Sequence, residues 1–180
     1  LARGELLPEQ GASVLAVDRN EDVHALARPG VEPLVADVAR EESAVLAAQT
    51  AMERHGRLDI LVNNAGIIIN KPVIEMTLAD WNGIQAVNST GAFLFSREAM
   101  RVMVPARQGS IVNVGSYVCY QAFPTIAAYA ASKGALAQLT RALSLEAIEH
   151  GIRVNGVGSG DVVTNITNHI HADGRAFLAE

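Results

Sequence analysis

The sequence predicts an α/β fold in three layers, with a doubly wound parallel sheet between two layers of helices. Short runs rich in β-branched residues alternate with longer stretches of helical periodicity, and this alternation is typical of a parallel sheet. The polar motifs of the chain follow the strand runs or lie on adjacent helices, and ligands of such sheets bind at the carboxyl ends of the strands. With 180 residues and no internal repeat or linker, the chain is predicted to form one domain over residues 1–180.

Five runs are predicted as strands and three stretches as helices. The strands are 13–17, 32–36, 59–63, 110–114 and 153–157, and the helices are 41–55, 78–103 and 127–150. Thr77 and Asp80 resemble a capping box at the start of the second helix, because their side chains can satisfy each other's backbone N–H groups. Gly151 follows the third helix, at a position where a glycine commonly ends a helix.

Composition and charge narrow the class of protein. Hydrophobic residues make up 49% of the chain and charged residues 18%, with a mean hydropathy of +0.20, so a packed core is expected rather than disorder. No apolar run reaches the roughly 18 residues of a transmembrane helix, and we expect no membrane partner. The net charge is −5 and the basic residues are scattered, which argues against a nucleic-acid surface. A single cysteine, Cys119, excludes an internal disulfide and is compatible with the cytoplasmic location that we expect.

Tyr129 and Lys133, in Tyr129-Ala130-Ala131-Ser132-Lys133, give the strongest chemical signal. Four-residue spacing places the phenol and the ammonium on one face of a helix. The pKa of a free tyrosine is about 10, and a nearby cation lowers it by favouring the phenolate. Tyr129 and Lys133 therefore indicate a proton-transfer site, although an isolated tyrosine and lysine at this spacing are also common on solvated helix surfaces.

Three further motifs accompany the pair in a fixed order. They are an Asn-Asn-Ala-Gly strand end at 63–66, Asn88 within a helical stretch, and Ser116 at the end of the apolar run 110–116. A hydroxyl at Ser116 can face the phenol of Tyr129, because the run reads as a buried strand that opens into a loop. Together with Tyr-x-x-x-Lys, these motifs resemble the short-chain dehydrogenase/reductase family from about residue 11 to residue 164. The resemblance implies a Rossmann-type fold and a nicotinamide cofactor.

The resemblance also implies roles for the four polar residues. Tyr129 would take the hydroxyl proton of the substrate in oxidation and return it in reduction, while hydride passes between substrate and nicotinamide. Lys133 would lower the pKa of Tyr129 and hydrogen-bond the nicotinamide ribose. Ser116 would orient the substrate oxygen, and Asn88 would hold a water between the lysine and solvent. We therefore expect an NAD-dependent oxidoreductase that interconverts a secondary alcohol and a ketone.

Two aspartates at strand ends bear on the cofactor. Asp18 ends the first strand run, where a carboxylate can accept hydrogen bonds from an adenosine ribose and would repel a 2′-phosphate. NAD is therefore favoured over NADP, although Arg19 follows immediately and could soften the repulsion. The resemblance places Asp37, with the adjacent Val38, at the adenine. A turn or helix-cap role is the alternative for both aspartates.

Other residues are expected to line the dinucleotide. The resemblance assigns the strand end Asn64, Ala65 and Gly66 to it, because small residues permit a close backbone approach. It also places Val162 and Thr164 against the nicotinamide carboxamide, after a turn in which Ser159 stands where the family commonly has proline.

The two ends of the chain depart from the family pattern. No glycine-rich turn precedes the first strand run, although such a turn holds the pyrophosphate in folds of this kind. The chain stops at Glu180, before the last helix and strand of the family, and 164–180 would begin a substrate-covering lid. We therefore expect a fold that is incomplete at both ends. If the glycine turn is truly missing, the alternative function is a catalytically silent dinucleotide-fold protein used for binding or assembly.

The substrate is predicted only as a class. Residues 117–123 and the run Ile67-Ile68-Ile69 are expected to wall the pocket, which suggests a largely apolar alcohol or ketone. His169 and His171 stand two residues apart and do not share a helix face, so no metal site is assigned.

Helices 78–103 and 127–150 are also predicted to bind a second copy of the chain. Each has apolar and small residues over more of its surface than one sheet face can bury. These residues are Ala86, Ala92, Phe93, Ala135, Leu136, Leu139, Leu143 and Ala147. The resemblance implies a two-fold contact between these helices, in a homodimer or homotetramer.

Overall fold

The computed structural model describes residues 7–160 and confirms the predicted parallel α/β fold. The strands are β1 (Val14–Asp18), β2 (Val31–Val35), β3 (Ile60–Asn63), β4 (Gly109–Ser116) and β5 (Ile152–Ser159). The α-helices are α1 (Glu41–His55), α2 (Leu78–Gln85), α3 (Ala92–Ala106) and α4 (Ala127–Ala147). Helix α1 has the predicted bounds, and each predicted strand bound lies within two residues of the observed one.

The strands pair in parallel but form two hydrogen-bonded groups. β1 pairs with β2, and β4 lies between β3 and β5. The two groups share one helical cover, since Leu15 and Val17 of β1 and Leu61 of β3 pack against the same cluster of α1 and α3 residues. Because every pair is parallel, the carboxyl ends of the paired strands within each group lie at the same edge.

The core lies between the strands and three helices. One cluster joins Ala44 and Ala47 of α1 to Leu94 and Phe95 of α3. A second cluster brings α3, α4, β4 and β5 together through Ala99, Met103, Ile111, Ala147, Ile152 and Val154. Helices α1, α3 and α4 therefore cover one face of the strands. On the opposite face of β3, Ile60 and Val62 are 51% and 44% exposed within the described residues.

The second predicted helix is interrupted by a π-helical segment. Residues Ala86–Gly91 form this segment between α2 and α3, and Asn88 lies buried in it. Gly91 permits close packing here, because a Cβ at this position would lie 2.9 Å from the carbonyl oxygen of Val38. The helix thereby contacts the loop after β2, which contains two of the predicted cofactor residues.

The predicted caps are present. The Thr77 hydroxyl accepts a hydrogen bond from the Asp80 N–H at 3.1 Å, and the Asp80 carboxylate accepts one from the Thr77 N–H at 2.9 Å. The Lys71 ammonium also binds this carboxylate at 2.7 Å, and these hydrogen bonds lower the pKa of Asp80 to about 2. Gly151 ends the last helical turn at φ 73°, the left-handed conformation that favours glycine.

Some of the residues predicted to form a second apolar face on the helices do not lie on such a face. Ala92, Leu136 and Ala147 are buried in the core of this chain, so they are not available to a partner. Leu143 packs against the same core. Phe93 stays exposed on α3, and Leu145, which was not predicted, is exposed on α4. The direction of a helix face depends on which neighbours pack against it, and helical periodicity alone does not show this.

Candidate active site

Ser116 is the last residue of β4 and lies at the carboxyl edge of the strands. Its side chain is buried, and its hydroxyl accepts a hydrogen bond from the Val118 N–H at 3.3 Å. That contact caps a short 3-10 turn, Tyr117–Cys119, which leads the chain away from the strand. A buried hydroxyl is thus fixed where the loop begins, as the sequence predicts.

Lys133 and Tyr129 share one face of α4, as their spacing predicts. The Lys133 ammonium lies 5.8 Å from the centroid of the Tyr129 ring. It donates a hydrogen bond to the Val114 carbonyl of β4 at 2.9 Å, which holds the helix to the strand that ends in Ser116. Lys133 is only 4% exposed, and burial lowers its pKa, an effect that Cys119 partly offsets. A desolvated cation is stabilised by an adjacent anion, which is the arrangement that the predicted role of Lys133 requires.

The strand end after β3 approaches this lysine. A Cβ placed on Gly66 would lie 3.5 Å from the Lys133 Nζ and 3.6 Å from the Asn88 Oδ1. Asn64 and Ala65, immediately before Gly66, are exposed. Gly66, which has no side chain, therefore lies beside a buried ammonium, and this fits the close approach of a dinucleotide.

Asn88 ties the strand end to α4. Its Oδ1 accepts a hydrogen bond from the Ile67 N–H at 2.8 Å, and its Nδ2 donates to the Ile67 carbonyl at 2.9 Å. The same Nδ2 donates to the Ser132 hydroxyl at 2.9 Å. Both Nδ2 hydrogens thus have protein acceptors, and the side chain is 1% exposed.

The two predicted aspartates form the same kind of turn. Asp18 ends β1 with an exposed side chain, and its carboxylate accepts a hydrogen bond from the Asn20 N–H at 3.0 Å. Asp37 follows β2, and its carboxylate accepts one from the Ala39 N–H, also at 3.0 Å. Val38 lies beside Asp37, with its carbonyl against Gly91. Both carboxylates make the backbone contacts expected of a turn aspartate, which is the alternative role given above. Each carboxylate also retains lone pairs that could accept hydrogen bonds from a ligand. Val162 and Thr164 lie outside the described residues.

The loops expected to wall the substrate pocket are joined. Tyr117 and Phe123 make an edge-to-face ring contact at 5.4 Å between centroids. The Lys71 N–H donates to the Thr125 carbonyl at 2.7 Å, which links the loop after β3 to the loop before α4. Ile67, Ile68 and Ile69 are half-buried on the first of these loops.

Sequence reasoning missed Ser132 as a member of this site. Ser132 is fully buried, accepts from Asn88 and donates to the Tyr129 carbonyl at 2.7 Å. The available signal was its place inside the Tyr-Ala-Ala-Ser-Lys motif. Its partner lies 44 residues away, and no local pattern identifies such a contact.

Within 7–160, no three His, Cys, Asp or Glu side chains are grouped so that they could hold a metal ion. No helix in the same part of the chain is both long enough and apolar enough to cross a membrane.

The parallel α/β fold, the Tyr129–Lys133 pair and the buried Ser116 at a strand end together form the arrangement that the sequence resemblance predicts. The family model for short chain dehydrogenases matches residues 2–175. The chain therefore belongs to the short-chain dehydrogenase family. It is accordingly an oxidoreductase of alcohol-type substrates, in a family that uses a nicotinamide dinucleotide.

Individual relatives agree with this family. Gluconate 5-dehydrogenase of Gluconobacter oxydans (strain 621H) is 35% identical over 181 residues, which span 96% of this chain and 70% of that protein. The crystal structure of a gluconate 5-dehydrogenase from Burkholderia cenocepacia J2315, in complex with NADP and tartrate, has a TM-score of 0.88 and 36% identity, covering 98% of this chain and 71% of that one. A short-chain dehydrogenase structure from Streptomyces avermitilis has a TM-score of 0.84 and 30% identity, covering 92% and 62%.

Proposed function

We propose that this protein is an NAD-dependent oxidoreductase that interconverts a secondary alcohol and a ketone, with Tyr129 as the general acid and base. The observation that most supports this proposal is the buried Lys133 ammonium, which lies 5.8 Å from the centroid of the Tyr129 ring. A bound nicotinamide supplies the hydride acceptor or donor. In oxidation the Tyr129 phenolate takes the hydroxyl proton of the substrate, and in reduction the phenol returns it. We place the reaction in the cytoplasm.

The other polar residues of the site would bind the cofactor or orient the substrate. Lys133 favours the phenolate and would hydrogen-bond the nicotinamide ribose. Ser116 would hold the substrate oxygen, because its buried hydroxyl is fixed at the end of β4. Asn88 was predicted to hold a water, and this stays a prediction. Its side chain binds Ile67 and Ser132.

The cofactor would lie along the carboxyl edge of the strands. Asp18 would bind the adenosine ribose, and its charge favours NAD because it repels a 2′-phosphate. Asp37 and Val38 would lie at the adenine, with Gly91 allowing the helix to pack closely behind them. The NADP found with the Burkholderia relative makes this preference the first property to measure.

The cofactor-binding set is completed by two groups of residues. Asn64, Ala65 and Gly66 would line the dinucleotide after β3, and Val162 and Thr164 would contact the nicotinamide carboxamide.

The preference for NAD over NADP can be tested directly. NAD and NADP are compared in steady-state assays of nicotinamide absorbance, and a higher kcat/KM with NADP would contradict the proposal.

The substrate is proposed from two observations. The half-buried isoleucines and the Tyr117–Phe123 contact favour an apolar alcohol or ketone. Two relatives named gluconate 5-dehydrogenase favour a sugar acid, which also presents a secondary alcohol. A panel that contains gluconate beside apolar secondary alcohols separates the two classes. No turnover of any member, with cofactor binding intact, would favour the catalytically silent binding protein instead.

We also propose that α3 and α4 bind a second copy of the chain, as a homodimer or homotetramer through residues 78–103 and 127–150. Phe93 and Leu145 support this, since both are large apolar side chains exposed on these helices. Exposed apolar groups on neighbouring helices are typical of an interface between subunits.

A further inference from the structure

Ser132 occupies a position inside the site that the proposed roles do not use. Its side chain is fully buried, and its hydroxyl makes two hydrogen bonds. It accepts from the Asn88 Nδ2 at 2.9 Å and donates to the Tyr129 carbonyl at 2.7 Å. The second contact is a common back-bond within a helix, whereas the first joins two elements that are distant in sequence.

The partner of Ser132 controls the backbone beside the lysine. Asn88 binds both the N–H and the carbonyl of Ile67. Gly66, the preceding residue, faces the Lys133 Nζ and the Asn88 Oδ1 closely enough for a Cβ to contact both. A change in the Asn88 side chain therefore moves the strand end that approaches the ammonium.

We propose that Ser132 is a positioning residue for the reaction, acting through Asn88 to hold the Gly66–Ile67 backbone against the Lys133 ammonium. This inference rests on the proposed function. Without the Ser132 oxygen, one Nδ2 hydrogen of Asn88 loses its acceptor. At 1% exposure, water is not available to replace it. A buried donor without an acceptor is costly, so the amide turns toward another partner and releases Ile67.

Ser132→Ala tests this role, and Ser144→Ala is its matched control. The Ser144 hydroxyl donates to the Arg141 carbonyl three residues earlier at 2.7 Å, which is the same back-bond on the same helix without an Asn88 partner. Alanine is the best helix former, so both variants are expected to fold, and circular dichroism checks this.

The expected results concern both turnover and the backbone. Ser132→Ala should lower kcat/KM about tenfold or more and speed hydrogen exchange at the Ile67 amide by a similar factor, whereas Ser144→Ala should change neither more than about twofold. In the oxidation direction, where the phenolate is the base, the acidic limb of the pH profile should move up toward the ordinary tyrosine value of about 10. Added to Asn88→Ala, Ser132→Ala should cost less than about a further twofold, because it acts through Asn88.

The outcomes separate this inference from the proposed function. If the wild-type protein turns over no substrate, the proposed function fails, and Ile67 exchange then decides the role of Ser132 in holding the backbone. If wild type is active and Ser132→Ala matches Ser144→Ala in both kcat/KM and Ile67 exchange, the positioning role is overturned. A loss of thermal stability alone, with exchange and pH profile unchanged, overturns it as well.

Discussion

The Lys133 ammonium lies 5.8 Å from the centroid of the Tyr129 ring and donates a hydrogen bond to the Val114 carbonyl. The ammonium therefore lies beside the proposed acid and base, and its hydrogen bond fixes it to the strand that ends in Ser116. Since the lysine is buried, its charge is poorly screened by water. Its influence on a neighbouring phenol is therefore larger than that of a surface lysine.

Lys133→Met should separate charge from packing. We expect kcat/KM to fall by about 10² or more, because the phenol loses the cation that favours its ionised form. In alcohol oxidation, the acidic limb of the pH–rate profile should move up toward about 10. Burial lowers the folded-state pKa of Lys133, so the charged lysine costs stability below that pKa, and the cost disappears as pH rises toward the unfolded value. In unfolding by denaturant, the unfolding free energy of wild type should therefore rise relative to that of the variant as pH rises through this window. A less stable variant with an unchanged profile would contradict this role.

Asp18→Ala tests the choice of cofactor. Removing the carboxylate should raise the ratio of kcat/KM for NADP over NAD by about tenfold or more, because repulsion of the 2′-phosphate is lost. Asp37→Ala is the matched control, since its carboxylate accepts an N–H two residues later at the same 3.0 Å distance. It should weaken both cofactors without changing their ratio. If the ratio of kcat/KM for NADP over NAD changed equally in the two variants, Asp18 would have no specific role in selecting the cofactor.

Asp80→Asn should destabilise the protein in a pH-dependent way. The folded-state pKa of Asp80 is about 2, below its ordinary 3.8, chiefly because of the hydrogen bond from Lys71. A lowered carboxyl pKa contributes stability above the unfolded value, and this is lost as pH falls toward the folded one. The difference in unfolding free energy between wild type and variant should therefore be constant above about pH 5 and shrink between 3.8 and about 2. In a Lys71→Met background this pH dependence should be weaker. An undiminished pH dependence would show that it does not come from the contact between Asp80 and Lys71.

Phe93→Glu tests the proposed contact between subunits. Phe93 on α3 is 44% exposed, and Leu46 on α1, outside the proposed interface, is 45% exposed. A charge at Phe93 should dissociate the assembly, because an ion would be buried against the partner. Leu46→Glu should leave it intact. Sedimentation velocity at micromolar concentration measures both, and a monomeric wild type would rule out the interface.

Local patterns predicted the parts of this protein that local physics determines. Helix α1 has its predicted bounds, and the capping box at Thr77 and Asp80 is present. Tyr129 and Lys133 share a helix face because side chains four residues apart lie on one face in any α-helix. The strand-end motifs lie at the carboxyl edge because β3, β4 and β5 all run parallel.

Features set by distant contacts were not predictable in the same way. The π-helical segment has no marker of its own at Ala86, and Gly91 is explained only by the Val38 carbonyl against it. The link between Asn88 and Ser132 depends on how α4 packs against the π-helical segment. The apolar residues of α3 and α4 were visible, but which of them face the core was decided by their neighbours.

Tyr129→Phe tests the central claim most directly. The ring and its packing stay, and only the hydroxyl that carries the proton is removed. The measurement is kcat/KM on the best substrate of the panel, together with the dissociation constant of NADH from fluorescence. We predict a loss of about 10³-fold or more in kcat/KM with NADH affinity nearly unchanged. A variant that keeps kcat/KM within about tenfold of wild type would show that Tyr129 is not the acid and base.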